Sequence, residues 1–394
     1  MGLLFAITDR ICLDVMNTPA LHWRCLLAAR LAQFLLIALL SGGSDQGLAA
    51  RFANPLVAAA VRTGSADPSV VFHGGYYYYC RSVANAKIAI AKARRLQDIG
   101  AAPMKVVFEP PAGTAYSRRL WAPELQHVRG RWYIYFAASD GPDANHRMYA
   151  LEASGSDPQG PYVFKGRVSD TTDGWAIDGV ALEIGAELYF VWSGWPEGVD
   201  HFPQVIYIAR MRDPLRIVGA RHAIAEPDLP WERTVAPLLE APEPLQRDGR
   251  TVIVYSANAS WSDDSALGLL IYVGGDPLEA SSWKKHPDPV FVKNAAAGVF
   301  GVGHASFVRS PDGHEDWMLY HAMDRPGMGW AARTVRAQRF HWRGDGMPAF
   351  GRAVATGCWL QEPSGTAGGG PVASHVDGAQ SNVEKAGAVA DCEQ

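Results

Sequence analysis

Between residues 51 and 363 the chain is written in short apolar runs separated by glycine-centred breaks. One pattern recurs. A polar residue opens a short apolar run, a turn follows, and the chain returns as a run rich in aromatic and β-branched residues. Asp67-Pro68-Ser69-Val70-Val71-Phe72 turns at Gly74-Gly75 into Tyr76-Tyr77-Tyr78-Tyr79. Trp121-Ala122-Pro123-Glu124-Leu125 turns at Arg129-Gly130 into Trp132-Tyr133-Ile134-Tyr135-Phe136. Equivalent units begin at Asp178, at Glu240 and at His304. Glycine at the centre of each break and β-branched or aromatic residues on either side are hairpin chemistry.

The five units start roughly 55–65 residues apart, the period of a four-stranded propeller blade with its loops. Arg147–Glu152, Val205–Arg210 and Leu267–Val273, lying between the hairpins, also read as strands. Ala84–Leu96 is the one run long enough to compete as a helix. The pattern therefore predicts an all-β fold, a five-bladed β-propeller. A β-sandwich is the alternative, but it would not require equal spacing.

Composition agrees. The chain has 394 residues with 13 Trp, 14 Tyr, 14 Phe, 40 Gly and 26 Pro, and that mix of aromatics and turn formers favours strands. With 48% hydrophobic and 19% charged residues a large core is accessible and wholesale disorder is excluded. The formal charge of −4 lacks the basic excess of a nucleic-acid binder. Five scattered cysteines without a CxxC pair suggest neither a zinc knuckle nor a disulfide framework.

The ends differ from the body. Arg24 and Arg30 precede the apolar run Leu31–Leu40, and small residues follow to Ala50. Basic, apolar, small is the order of a secretory signal, and the run is about half the ~20 residues of a membrane span. Residues 1–50 are thus expected to be a signal segment and linker, and the protein to be secreted, extracellular or periplasmic, with no membrane span after processing. Met16 is a possible alternative start. Residues 364–394, rich in Gly, Ala, Ser and Val, read as a disordered tail.

In a propeller the innermost strands line a central channel, so equivalent positions of successive blades converge. Here they are Asp67, Trp121 or Ala122, Asp178, Glu240 and His304. Three carboxylates brought together in a partly desolvated hollow raise one another's pKa, an arrangement with chemical rather than structural use. With aromatic walls it suits glycoside hydrolysis. That reaction needs one carboxylic acid to protonate the departing oxygen and one carboxylate to activate water or attack the sugar.

The motifs also carry a family resemblance. ADPSV (Ala66–Val70), LWAPEL (Leu120–Leu125), AIDG (Ala176–Gly179), FVWSGW (Phe190–Trp195), PWER (Pro230–Arg233), EAPEPL (Glu240–Leu245), YSANASW (Tyr255–Trp261), GVGHASFVRSPDGHEDW (Gly301–Trp317) and RAQRFHW (Arg336–Trp342) follow one another through the body. Together they resemble glycoside hydrolase family 43, and within it the α-L-arabinofuranosidases. The resemblance implies a five-bladed propeller and inversion at the anomeric carbon. It assigns Asp67 as general base, Glu240 as general acid and Asp178 as the carboxylate that raises and orients the acid. It matches His304 to a histidine that often binds a calcium-like ion in the channel, while the chemistry itself requires no cofactor. Two positions depart from the family: Ala241 stands where glycine usually follows the acid, and Arg119 stands where many members have histidine. Glu243, three residues after Glu240, is the competing acid; the Pro242 and Leu245 offsets favour Glu240.

Trp121, Trp192 and Trp261 are candidate stacking walls for sugar, weighed against plain core packing. Arg336 is a candidate hydroxyl or carboxylate partner, weighed against a structural ion pair. Glu124 reads as structural. The implied activity is an inverting, exo-acting α-L-arabinofuranosidase acting on arabinan or arabinoxylan, so the expected partner is a plant cell-wall polysaccharide or oligosaccharide. A β-xylosidase or endo-arabinanase on the same scaffold, or a non-catalytic carbohydrate-binding propeller, are the alternatives.

Overall fold

Every blade is a contiguous stretch of chain. The structure, a computed structural model, describes residues 50–59 and 66–366. The expected signal segment, and all but the first three residues of the expected tail, lie outside the described residues. After β1 (Arg51–Ala53), blade 1 comprises β2 (Ser69–His73), β3 (Tyr76–Val83), β4 (Lys87–Ala93) and β5 (Met104–Phe108). Blade 2 comprises β6 (Arg118–Val128), β7 (Arg131–Ser139), β8 (Arg147–Ala153) and β9 (Tyr162–Arg167). Blade 3 comprises β10 (Ala176–Ile184), β11 (Glu187–Gly194), β12 (Val205–Asp213) and β13 (Arg216–Ala225). Blade 4 comprises β14 (Leu239–Arg247), β15 (Arg250–Ala257), β16 (Ala266–Tyr272) and β17 (Trp283–Lys285). Blade 5 comprises β18 (Phe300–Arg309), β19 (Asp316–Met323), β20 (Thr334–Trp342) and β21 (Pro348–Ala349), and β22 (Trp359–Gln361) follows.

Each blade is a four-stranded antiparallel meander with its strands in sequence order. The first strand of each blade packs against the first strands of its two neighbours, β2 against β18 and β6, and so on around the ring. The fold is therefore a five-bladed β-propeller with β2, β6, β10, β14 and β18 innermost. Among the described residues there is no α-helix.

Ala84–Leu96, the run that competed as a helix, instead contains β4 and a short turn. Ile88, Ala89, Ile90 and Ala91 are all buried because a blade has neighbours on both faces. A continuous apolar run carries no period, so it does not distinguish strand from helix. The tyrosines of β3 show the same two-sided burial. Tyr77 and Tyr79 pack against blade 5, whereas Tyr78 and Cys80 pack against blade 2. Successive strand residues point to opposite faces, and here each face meets a different blade. Five inter-blade cores result, one per junction.

Near the axis, hydrogen bonds stitch each inner strand to the preceding blade. The backbone N–H of Leu125 donates to Ser69 Oγ (2.9 Å), that of Ala181 to Gln126 Oε1 (2.7 Å) and that of Ala241 to Asp178 Oδ2 (3.0 Å). His304 N–H donates to Ser256 Oγ (2.7 Å), and Val70 N–H to Ser306 Oγ (3.0 Å), which completes the circuit from blade 5 to blade 1. The ends of the body are clamped together outside the blades. β1 pairs antiparallel with β22, with Arg51 opposite Gln361. Asn54 exchanges two 2.9 Å hydrogen bonds with the backbone of Ala337 in β20. Glu362 accepts from Ala50 N–H, Arg95 Nε and Gln97 Nε2.

Candidate active site

One residue per blade has left-handed backbone at the axial end of the inner strand. These are Asp67 (φ 51°), Ala122 (φ 40°), Asp178 (φ 54°), Ala241 (φ 50°) and His304 (φ 47°). In blades 2 to 5 the residue falls at a register shift between the first and second strands, a β-bulge. A bulge leaves a residue unpaired and re-aims neighbouring side chains, and bulges gather at active sites. Asp67, Trp121, Asp178, Glu240 and His304 thereby line one cavity of about 680 Å³. Glycine serves a left-handed position without strain. Ala241 holds it at a cost of about 1 kcal/mol or more. The missing glycine in the motif is thus accommodated by strain, and the loop shape is kept, with Ala241 N–H on Asp178.

Asp67 precedes β2 and is ringed by cationic and imidazole groups. His321 Nδ1 lies 3.3 Å from its Oδ1, Arg333 Nη1 3.4 Å and His304 Nδ1 3.6 Å. Burial alone would raise its pKa, but Arg333, the hydrogen bond from His321 and the His304 charge outweigh it. The carboxyl is held well below the usual carboxylate range. Asp178, 7% exposed, goes the other way. Burial pushes its pKa up to about 8, with the Glu240 and Asp67 charges adding to the rise and His304 opposing it. Burial and Asp67 also raise Glu240, against a hydrogen bond from Ser260. The protons taken up by Asp178 and Glu240 belong to the pair. Of the two glutamates in EAPEPL, Glu240 lines the cavity, whereas Glu243 faces Glu124 and His304 and is driven upward by burial.

His304 does not fit direct ligation of a cation. Its Nε2 sits 2.6 Å from Glu124 Oε1 and its Nδ1 faces Asp67. Burial would lower its pKa, but Glu124, Asp67 and Asp178 push it up to about 10. Calcium also prefers oxygen ligands. Among the described residues no group of three or more His, Cys, Asp or Glu side chains forms a metal set.

The aromatic candidates divide. Trp121 lines the cavity, backed by the His146 ring at 3.9 Å and 23°. Trp261 lines it too, at the rim. Trp192 does not: it is buried between blades 2 and 3 against Phe190 and Tyr207, each ring 5.8 Å away. Arg336 is also misplaced by the sequence reading. It is fully buried in β20, bonded to Asp324, Thr356 Oγ1 (2.6 Å) and the Val354 carbonyl (3.3 Å), and is a structural ion pair. Both residues sit mid-strand outside the inner strands, where side chains enter inter-blade cores. Arg119 makes a long ion pair with Asp143 (3.9 Å) and is not among the lining residues.

Several lining residues escape the sequence reading. Arg333 and His321 belong to blade 5 but not to its inner strand, so blade equivalence does not point to them. Trp175 and Trp195 stack at 4.2 Å and 5° to form one wall, extended by His201 at 5.1 Å from Trp195. Trp195 Nε1 and His321 Nε2 are buried without a hydrogen-bond partner among the described residues. The FVWSGW motif contained Trp195 but gave no means of ranking it above Trp192.

The family model "Glycosyl hydrolases family 43" matches residues 52–348, from β1 to the first residue of β21. The chain is 33% identical over 301 residues to "Alpha-L-arabinofuranosidase 43" of Humicola insolens, covering 74% of this chain and 62% of that one. It is 32% identical over 316 residues to "Extracellular exo-alpha-(1->5)-L-arabinofuranosidase" of Streptomyces avermitilis, covering 78% and 64%. It thus spans a little under two thirds of the length of these relatives. Among solved structures, an α-L-arabinofuranosidase from Lactobacillus brevis superposes with a TM-score of 0.71 at 33% identity, over 77% of this chain and 98% of that one. A match that runs through all five blades and over the carboxylate cavity leaves one assignment: the chain belongs to glycosyl hydrolases family 43.

Proposed function

We propose that the protein is an inverting, exo-acting α-L-arabinofuranosidase that releases terminal arabinofuranosyl units from arabinan or arabinoxylan. The observation that carries this reading is the division of three carboxylates in one cavity into two protonation classes. Asp67 is held as an anion, whereas Glu240 and Asp178 retain protons into higher pH. A base and an acid with pKa values driven apart are what glycoside hydrolysis requires.

In this mechanism Asp67 takes a proton from water as that water attacks the anomeric carbon. Glu240 delivers its proton to the departing glycosidic oxygen. Asp178 accepts the Ala241 N–H and, its own carboxyl raised by burial and by the Glu240 charge, takes up protons together with Glu240. Arg333 and His304 keep Asp67 charged. Both proton transfers are made by side chains, so the chemistry calls for no cofactor. Trp121 and the Trp175–Trp195 wall supply apolar faces for a sugar ring. The arabinofuranosidase names of relatives at 32–33% identity support the sugar assignment. Secretion is proposed from the basic, apolar, small order of residues 24–50 and from the relative named extracellular.

The test is hydrolysis of chromogenic α-L-arabinofuranoside and β-D-xyloside substrates, with the product anomer read by proton NMR during early turnover. Arabinofuranoside turnover with inverted arabinose is expected, and Asp67→Asn should lower kcat by about 10²–10⁴-fold. Exclusive xyloside turnover rejects the sugar assignment, a retained anomer rejects inversion, and full activity in Asp67→Asn rejects the base.

A further inference from the structure

The rim of the cavity carries an apolar feature that the proposed acid–base chemistry leaves unused. Trp330, 54% exposed, stands edge-on to Trp261, 36% exposed, with ring centroids 5.1 Å apart at 72°. Met328, 37% exposed, lies beside them. All three line the same cavity as Glu240. Exposed indole faces beside a carbohydrate site are surfaces for the apolar face of a sugar ring.

They connect to the acid through Ser260. Trp330 Nε1–H donates to Ser260 Oγ at 3.1 Å, and Ser260 lines the cavity with Glu240, where its hydroxyl opposes the rise of the Glu240 pKa. A hydroxyl that accepts from an indole has its own hydrogen free to donate, and here the acceptor is the Glu240 carboxyl. The segment bearing Trp330 is itself tied down. Gly327 N–H donates to Asp263 Oδ1 at 2.8 Å, and Ser262 Oγ donates to the Asn258 carbonyl at 2.9 Å on the facing loop. Three residues beyond Trp330, Arg333 reaches Asp67.

We propose that the Trp261–Trp330 wall receives the sugar unit on the leaving-group side of the scissile bond, and that Ser260 is a positioning residue that ties this wall to Glu240. The inference rests on the acid role given to Glu240 above and adds what holds that acid against the departing unit. The occupant is a glycosyl unit, whose C–H face meets the indoles and whose glycosidic oxygen takes the Glu240 proton. Trp330 thereby fixes the Ser260 hydroxyl, and Ser260 fixes the carboxyl rotamer that faces the departing oxygen.

The experiment compares two leaving groups on whichever glycosyl unit the wild type hydrolyses. One is a second sugar, which departs only with protonation, and the other is 2,4-dinitrophenolate, which departs without it. The variants are Ser260→Ala, Ser260→Thr, Trp330→Phe, Trp330→Ala and, as control, Glu240→Gln. Ser260→Ala is expected to lower kcat on the disaccharide by about tenfold or more with KM unchanged, and to leave the dinitrophenyl substrate within about threefold. Trp330→Phe keeps the stacking face and loses the N–H, so it should repeat the kcat loss without raising KM. Trp330→Ala should also raise the disaccharide KM. Ser260→Thr retains the hydroxyl and should restore most of the activity.

Equal losses on both leaving groups in Ser260→Ala and Trp330→Phe, or no loss on either, overturn the proposal. If Glu240→Gln shows the leaving-group signature and the Ser260 and Trp330 variants do not, this inference fails alone. If Glu240→Gln lacks the signature, the acid assignment fails and takes the inference with it.

Discussion

Replacing Asp178 with asparagine should make the protein more stable and less active, and the stability gain should depend on pH. Asp178 is 7% exposed and shares its surroundings with Glu240 and Asp67. A carboxyl moved from 3.8 to about 8 corresponds to roughly 6 kcal/mol between its charged and neutral forms. The native state holds this proton where the unfolded chain releases it, so wild-type stability falls as pH rises from about 4 to about 8. Asparagine mimics the protonated acid and can keep the Ala241 N–H bond through its carbonyl oxygen. The variant should therefore match wild type near pH 4 and exceed it increasingly toward pH 8. Because the proton is shared with Glu240 and the site can relax, a gain of about 2–3 kcal/mol at pH 8 is expected, a fraction of the full value. For a domain of this size that is roughly 5 °C in Tm. The assay is thermal and urea unfolding of both proteins at pH 4.5, 6 and 8, with kcat measured in parallel. A Tm difference that is flat across pH, or a variant destabilised at pH 8, would refute the account of Asp178 as a buried carboxyl confined among like charges.

Two further outcomes follow from the same geometry. Arg333→Met removes the cation nearest the Asp67 anion in electrostatic weight. The Asp67 pKa should rise, so the acidic limb of the pH–kcat/KM profile should move up by about 1–3 pH units; an unmoved limb would detach Arg333 from the base. Arg336→Met should lower stability by about 3 kcal/mol, since a fully buried guanidinium and its bonds to Asp324, Thr356 and Val354 are lost. Its KM should stay at the wild-type value, and a raised KM with unchanged Tm would return Arg336 to the substrate site.

The propeller was legible because every blade is one unbroken stretch. Each hairpin announces itself through its own turn, as Gly74-Gly75 and Asp248-Gly249 do with φ values of 57°, 81°, 50° and 77°. Equal spacing then led to the axis, and Asp67, Asp178, Glu240 and His304 could be found because each stands at the same place in its blade. Trp192 and Arg336 were misread for a related reason. Both faces of a blade are buried, so strand parity says which neighbour a side chain meets but not whether it meets a cavity. Arg333, His321, Ser260 and Trp330 lie on a second strand or on rim loops, where no repeat relates them to one another. The partner of His304 was likewise beyond the sequence, because Glu124, 180 positions earlier, meets its Nε2.

Among the described residues no blade borrows a strand from the far end of the body, and the two ends of the body are fastened by β1 and β22 with Arg51 opposite Gln361. Circular permutation is therefore open to this architecture. A short linker joining residue 361 to residue 51 would turn the clamp into an internal hairpin, and new termini in the largely exposed residues 109–117 would leave all twenty blade strands in their native sheets. A ring sealed by splitting one blade between its ends would lose a sheet to most such cuts. Here the order of blades along the gene is free to rotate while the cavity they enclose stays the same.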